Sequence, residues 1–159
     1  HPTLFPEIME KRFSPDSEVI GLKDPRLCVT YPCWAGQLPQ WPVVVSIRHP
    51  LEMAMSLQAM NMHPLQHGLG TWWRFYSDLL MYQRIYGFPI YWVDYPSLAG
   101  LDVALESVGL ELDPLKVAAV FDVKEQHNKA NQEITEAPYL AEFYGWMLQQ
   151  ARNSKPSYA

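Results

Sequence analysis

The sequence has little cysteine, no excess of positive charge and no long apolar run, and each absence excludes a class of protein. Cys28 and Cys33 are the only two cysteines in 159 residues, which is too few for a disulfide framework, and their spacing matches no usual zinc pattern. We expect free thiols in a reducing, cytoplasmic compartment. The 12 basic and 17 acidic residues give a net charge of -5, so the surface as a whole repels nucleic acid.

Apolar residues are plentiful but never continuous enough to cross a membrane. Apolar stretches such as Val43–Ile47, with Ser46 interposed, are far shorter than the ~20 residues of a membrane helix. No membrane partner is expected. Hydrophobic residues make up 48% of the chain and charged residues 18%, a balance that supports a folded core. We therefore expect one domain over residues 1–159.

Fourteen prolines divide the sequence into short elements of alternating type. Residues 19–23, 41–47 and 89–93 predict strands, and the continuous apolar character of 41–47 predicts a central strand buried on both faces of a parallel sheet. Helical spacing predicts helices over 51–62, 69–86, 97–108, 115–122 and 139–152. This alternation predicts an α/β fold of three layers, a mostly parallel sheet flanked by helices.

Ligands of an open parallel sheet bind outside the carboxyl ends of its strands. Three polar groups follow the predicted strands: Lys23-Asp24-Pro25-Arg26, Arg48-His49-Pro50 and Asp94-Tyr95. The second group combines a guanidinium with a helix start, which suits a phosphate, and Ser56 lies two turns along that helix. The alternative is that Arg48 pairs with Glu52 in the first helical turn and needs no ligand.

The segment from Arg48 to Leu57, Arg-His-Pro-Leu-Glu-Met-Ala-Met-Ser-Leu, resembles the 3'-phosphate-binding segment of sulfotransferases. Residues 20–27, 67–69 and 93–98 resemble segments in the same order in bacterial members, so the resemblance spans about residues 20–128, with 129–159 as a C-terminal helical segment. It implies a P-loop NTPase-like sulfotransferase fold. It also implies transfer of a sulfuryl group from 3'-phosphoadenosine 5'-phosphosulfate (PAPS) to a hydroxyl or amine.

The resemblance gives individual residues a role toward PAPS. Arg48 and Ser56 would hold the 3'-phosphate, and Tyr95 would flank the adenine, although a buried aromatic at a strand end is an equal alternative for Tyr95. Lys23 would neutralise the bridging oxygen as the bond breaks. Residues 126–129 take a place where relatives carry basic residues that approach the phosphates, and a solvated charged loop explains them equally well.

The catalytic base is not assigned by the family pattern. The cytosolic branch carries its catalytic His where Pro25 stands here, so Asp24 becomes the candidate base if burial raises its pKa. The alternative is a structural ion network of Lys23, Asp24 and Arg26 at the strand end.

The main departure from the family is the absence of the Gly- and Ser-rich loop that cradles the 5'-phosphosulfate. Because the chain begins with His1 rather than Met, we expect an N-terminally incomplete piece whose loop lies upstream; the alternative is a naturally shortened, inactive relative. The alternative function is a non-catalytic nucleotide-binding or protein-interaction module that retains the fold and exposes Trp34, Trp41 and Trp146.

Further ligands and partners are only weakly specified. His63 and His67 have the spacing of paired metal ligands on a helix, but Pro64 interrupts that helix, and no metal is expected. The acceptor, whether a small molecule, a glycan or a peptide, cannot be read from the sequence. The helix over 139–152 either covers the domain or meets a second subunit in a homo-oligomer.

Overall fold

A computed structural model describes residues 21–36, 40–61, 63–95, 97–120 and 137–153 of the chain. In chain order the elements are α1 (Leu27–Thr30), a 3₁₀ turn (Tyr31–Cys33), β1 (Val43–Ile47), α2 (Pro50–Asn61), α3 (Leu65–Tyr86), β2 (Ile90–Asp94), α4 (Leu101–Glu106), α5 (Pro114–Val120) and α6 (Pro138–Arg152). The fold is α/β, with helices predominating around a small sheet. No helix in these ranges is long and apolar enough to cross a membrane.

The sheet consists of β1 and β2, which run parallel with Val43 opposite Ile90 and Ile47 opposite Asp94. Parallel neighbours need a crossover connection, and α2 and α3 provide it. The predicted order of strand, helix, helix and strand is therefore confirmed over residues 43–94.

The strand predicted over residues 19–23 is wrong for its described part. Residues 21–24 have no regular structure, and residues 19 and 20 lie outside the described ranges. The Asp24 carboxylate accepts a hydrogen bond from the backbone N–H of Arg26 at 2.9 Å, and the Leu27 N–H donates to the Asp24 carbonyl. These bonds form a turn that leads directly into α1 instead of extending a strand.

The prediction that β1 is buried on both faces is also wrong. Val45 and Ile47 are buried, whereas Val44 is 49% exposed and Ser46 is exposed. The buried face contributes to one core with side chains of α3 and α6, among them Trp72, Leu79, Leu140 and Met147. An apolar composition alone did not show that the described elements cover only one face of this strand.

Side chains of α3 cover the edge of β1 that faces away from β2. The Tyr76 hydroxyl donates to the Ser46 carbonyl at 2.9 Å, and Trp72 Nε1 donates to the Arg48 carbonyl at 2.9 Å. Backbone groups of alternate residues point to opposite edges of a strand, so the Ser46 carbonyl is not available to β2. The aromatic donors of α3 therefore take the place of a third strand.

Most helices lie where the spacing predicts them, and α4 is the main exception. The helix predicted over 97–108 begins only at Leu101, because the chain first makes a turn in which Leu98 has a φ of 60° and Gly100 a φ of 87°. Positive φ is incompatible with a continuing α-helix. The helix predicted over 115–122 is α5, described to Val120, and the C-terminal helix is α6.

Candidate functional site

The carboxyl ends of the two strands bring Arg48 and Tyr95 together. Each residue directly follows a terminal strand position, Ile47 or Asp94, and the Tyr95 N–H donates to the Ile47 carbonyl at 2.9 Å. The Arg48 Cζ lies 5.7 Å from the centroid of the Tyr95 ring, within the range of a cation–π interaction. Two predicted site residues that are 47 positions apart in sequence thus form one contact.

The backbone of Arg48 is fixed between the sheet and the start of α2. Its carbonyl accepts the hydrogen bond from Trp72, and the fully buried Pro50 begins α2. Proline suits a first helical turn because it has no N–H and its φ is already close to helical. The guanidinium therefore stands at a strand end and beside the first turn of a 12-residue helix.

Arg48 also forms the ion pair that the sequence offered as an alternative to ligand binding. Its Nε donates to Glu52 Oε2 at 3.3 Å, with the two side chains 29% and 19% exposed. This distance exceeds the roughly 2.7–2.9 Å of a strong charge-assisted hydrogen bond. The pair uses Nε alone, and within the described ranges the two terminal amino groups of Arg48 donate no hydrogen bond.

Ser56 lies on the same helix but farther from the strand end. It is half-buried, and it stands about 9 Å beyond Pro50 along the helix axis. It makes no hydrogen bond with Arg48. A ligand that contacts both residues would have to lie along the flank of α2.

Two aromatic residues and a histidine pack beneath this edge. His49 meets the ring of Tyr144 edge-on, with centroids 5.1 Å apart, and Tyr144 in turn contacts Trp72. Burial lowers the pKa of His49, and the nearby Glu52 carboxylate only partly opposes this shift. His49 Nδ1 is buried and has no hydrogen-bond partner in the described part of the chain, which favours the neutral imidazole.

The Tyr144 hydroxyl remains protonated for a similar reason. Burial, together with the Asp94 and Glu52 carboxylates, raises the pKa of Tyr144 to about 12, and Arg152 opposes this shift. The buried Asp94 accepts a hydrogen bond from the Ser97 hydroxyl, which closes the turn after β2. Sequence reasoning missed Tyr144, since no local signal links a residue of α6 to the end of β1.

Asp24 does not meet the condition set for a catalytic base. Its Oδ2 lies 2.6 Å from Arg26 Nη2, and the hydrogen bonds from Arg26 lower the pKa of Asp24 to about 2. Desolvation acts in the opposite direction, and the hydrogen bonds outweigh it. The ion network proposed as the alternative is present between Asp24 and Arg26, whereas Lys23 is exposed and forms no ion pair with a described residue.

The Lys23–Asp24 group is separate from Arg48 in its bonding. No hydrogen bond or ion pair joins Lys23 or Asp24 to Arg48 among residues 21–36 and 40–61. The structure therefore groups Arg48 with Tyr95 and Glu52, and it leaves the roles of Lys23, Asp24 and Ser56 as predictions.

The remaining candidate ligands form no cluster. The rings of His63 and His67 lie 4.8 Å apart, on either side of the start of α3 at Leu65. In the described ranges no group of three or more His, Cys, Asp or Glu side chains is placed to hold a metal. Residues 126–129 lie outside the described ranges.

Both cysteines are free thiols, with Cys28 half-buried and Cys33 exposed. Burial raises the pKa of Cys28 to about 11, so its thiol is protonated and a poor nucleophile near neutral pH.

The chain matches no protein-family model, no curated protein and no solved structure. Function is therefore argued from the residues at the carboxyl edge of the sheet and from the resemblance of their sequence to one family.

Proposed function

We propose that the chain belongs to a PAPS-dependent sulfotransferase of P-loop NTPase-like fold and carries its 3'-phosphate-binding half. The observation that supports this proposal is the contact of Arg48 with Tyr95 at the carboxyl ends of two parallel strands, beside the helix start at Pro50. A guanidinium and a helix start both favour a phosphate. An aromatic ring beside them offers a face to a nucleobase.

Bound PAPS would supply an activated sulfuryl group, which passes to a hydroxyl or amine acceptor by in-line displacement. The chain's own residues would act mainly by positioning and by neutralising charge. In this proposal Arg48 and Ser56 hold the 3'-phosphate, Tyr95 flanks the adenine, and Lys23 neutralises the bridging oxygen. A cytoplasmic location is proposed with it, supported by the two free thiols.

The proposed reaction also needs a base that removes the acceptor's proton. Asp24 would have to leave its pair with Arg26 before it could take a proton, since a carboxylate with a pKa of about 2 is a weak base near neutral pH. We therefore place no proton-transfer step in the argument for function, and Asp24 remains a predicted base only.

The proposal is tested by calorimetric titration of the chain with adenosine 3',5'-bisphosphate. We expect Arg48→Ala to weaken binding by about 1.5–3 kcal/mol, the range for hydrogen bonds to charged groups, which is about 10-fold or more in Kd.

Arg74→Ala is the matched control. Arg74 Nε also lies 3.3 Å from a carboxylate four residues later, that of Asp78, but the Arg74 side chain is 73% exposed and lies away from the strand ends. Its removal should leave affinity unchanged. An absence of heat at millimolar ligand, or equal losses in the two variants, would contradict nucleotide binding at Arg48 and favour a protein-interaction module instead.

A further inference from the structure

We infer that Glu52 and Tyr95 are positioning residues, which hold the Arg48 guanidinium so that its two terminal amino groups are left for a phosphate. This inference depends on the proposed function, because it describes how the same anion site is organised. In this inference the negatively charged Glu52 favours anion binding indirectly, by orienting Arg48.

Only one of the three guanidinium nitrogens of Arg48 donates a hydrogen bond within the described ranges. A guanidinium carries five N–H groups in a planar fork. Of the Arg48 nitrogens, Nε donates to Glu52 Oε2 at 3.3 Å, and the terminal amino groups donate to no residue in the described ranges. The edge with the two terminal amino groups therefore remains available for bidentate contact with phosphate oxygens.

The Tyr95 ring restricts the orientation of the guanidinium plane. The Tyr95 ring lies against it, 5.7 Å from Cζ to the ring centroid. The backbone of Tyr95 is itself bonded to β1 through the Ile47 carbonyl. An aromatic face that is fixed relative to β1 restricts the orientations available to a guanidinium at the end of that strand.

The backbone of Arg48 is also held in place. Trp72, which is fully buried, donates to the Arg48 carbonyl. Arg48 is thus constrained at its main chain, at Nε and at the face of the guanidinium. A side chain ordered before the ligand arrives loses less conformational entropy on binding.

Glu52 has two opposite effects on the affinity for a phosphate, and variants can separate them. The carboxylate orients Arg48, but its negative charge repels a phosphate. Glu52→Gln keeps an oxygen that accepts from Nε and removes the charge, whereas Glu52→Ala removes both. Because the two variants have the same net charge, a difference between them reports the loss of the side-chain amide and not a change of charge.

The experiment measures Kd for adenosine 3',5'-bisphosphate by calorimetry in the wild-type chain, Glu52→Gln and Glu52→Ala. We expect Glu52→Gln to bind at least as tightly as the wild type. We expect Glu52→Ala to bind adenosine 3',5'-bisphosphate about fivefold more weakly than Glu52→Gln, because fixing one long side chain on binding costs about this much free energy. If the two variants bind this ligand equally, Glu52 does not position Arg48.

A second pair of variants tests the ring and guards against unfolding of the Glu52 variants. Tyr95→Leu removes the aromatic face and should bind several-fold more weakly than Tyr95→Phe, which keeps it. Equal affinities for Phe and Leu would overturn the role of Tyr95.

The outcomes also separate this inference from the proposed function. If Arg48→Ala leaves affinity unchanged, the proposed function fails, and the positioning role fails with it. If Arg48→Ala weakens binding while the Gln and Ala variants at position 52 match, only the positioning role fails.

Discussion

Two helical arginine pairs in the described part of the chain have the same spacing and Nε–oxygen distance but different surroundings. In Arg48–Glu52 and in Arg74–Asp78 the Nε lies 3.3 Å from a carboxylate oxygen four residues later. The Arg48 side chain is 29% exposed and contacts Tyr95, whereas that of Arg74 is 73% exposed. The ion pair itself therefore does not identify a ligand-binding arginine. Arg48 differs from Arg74 in the hydrogen bond that its backbone carbonyl accepts from a side chain distant in the sequence, and in the neighbouring Tyr95 ring.

The difference between the two pairs follows from the two faces of α3. Its inner face packs on β1 and α2 and consists of Gly68, Trp72, Tyr76 and Leu79, all buried. Its outer face carries the exposed Gly70, Arg74, Met81 and Ile85. The inner face holds the strand that ends in Arg48, whereas on the outer face the ion pair of Arg74 joins it to Asp78 of the same helix. Three further predictions test this contrast.

The largest effect is expected from glycine substitutions on the two faces. A Cβ added at Gly68 would lie 2.5 Å from the Cα of Ala54, whereas one added at Gly70 would have nothing within 4 Å. Gly68→Ala should lower the free energy of unfolding by about 1–3 kcal/mol, because the backbone of α2 has to move. Gly70→Ala should raise it by up to about 1 kcal/mol through helix propensity.

Urea unfolding of both variants measures this contrast directly. Effects of the same sign would show that the assignment of inner and outer faces is wrong.

A pH effect is expected from His49, the neighbour of Arg48. Burial holds its folded-state pKa below the ordinary value of 6.5, so the unfolded chain binds more protons as the pH falls below that value. Stability should therefore be highest above about pH 6.5 and decrease as the pH falls toward the folded-state pKa. In urea unfolding at pH 7.5 and pH 5, His49→Gln should reduce this loss.

The exposed His67, at the start of α3, supplies the control. His67→Gln should retain the full loss of stability between the two pH values. If both histidine variants behave alike, burial of His49 is not the source of the pH dependence.

The smallest effect is expected in the coupling within each ion pair. A double-mutant cycle on Arg74 and Asp78 should give about 0.3–0.5 kcal/mol, as for other exposed helical pairs. The cycle on Arg48 and Glu52 should give more, up to about 1 kcal/mol, because both side chains are partly buried and less screened. A larger coupling for Arg74 and Asp78 would reverse the comparison drawn above.

Much of the central fold could be predicted from local pattern. Because ligands of a parallel sheet bind at the carboxyl ends of its strands, Arg48 and Tyr95 were expected at one edge. Apolar spacing located α2, α3 and α6. The failures came where a tertiary neighbour decides the outcome. Val44 is apolar like Val45, yet only Val45 is covered, since the sequence of a strand does not show which face another element will bury.

The candidate site shows the same division. Arg48 and its alternative partner Glu52 were both evident from an i, i+4 spacing, and the structure contains that pair. The Trp72 anchor and the Tyr144 ring were not predictable, because they arrive from helices distant in the sequence. Asp24 was a candidate base only on the condition that burial raised its pKa, and the hydrogen bonds from Arg26 outweigh the effect of burial.

The aromatic donors of α3 have a consequence for the order in which the site is built. The carbonyls of Ser46 and Arg48 are bonded by side chains 30 and 24 positions later in the chain, so the end of β1 is completed only when a distant helix docks. We therefore expect Arg48 to acquire its orientation only when α3 docks and the core closes. The proposed anion site would thus exist only in the folded chain.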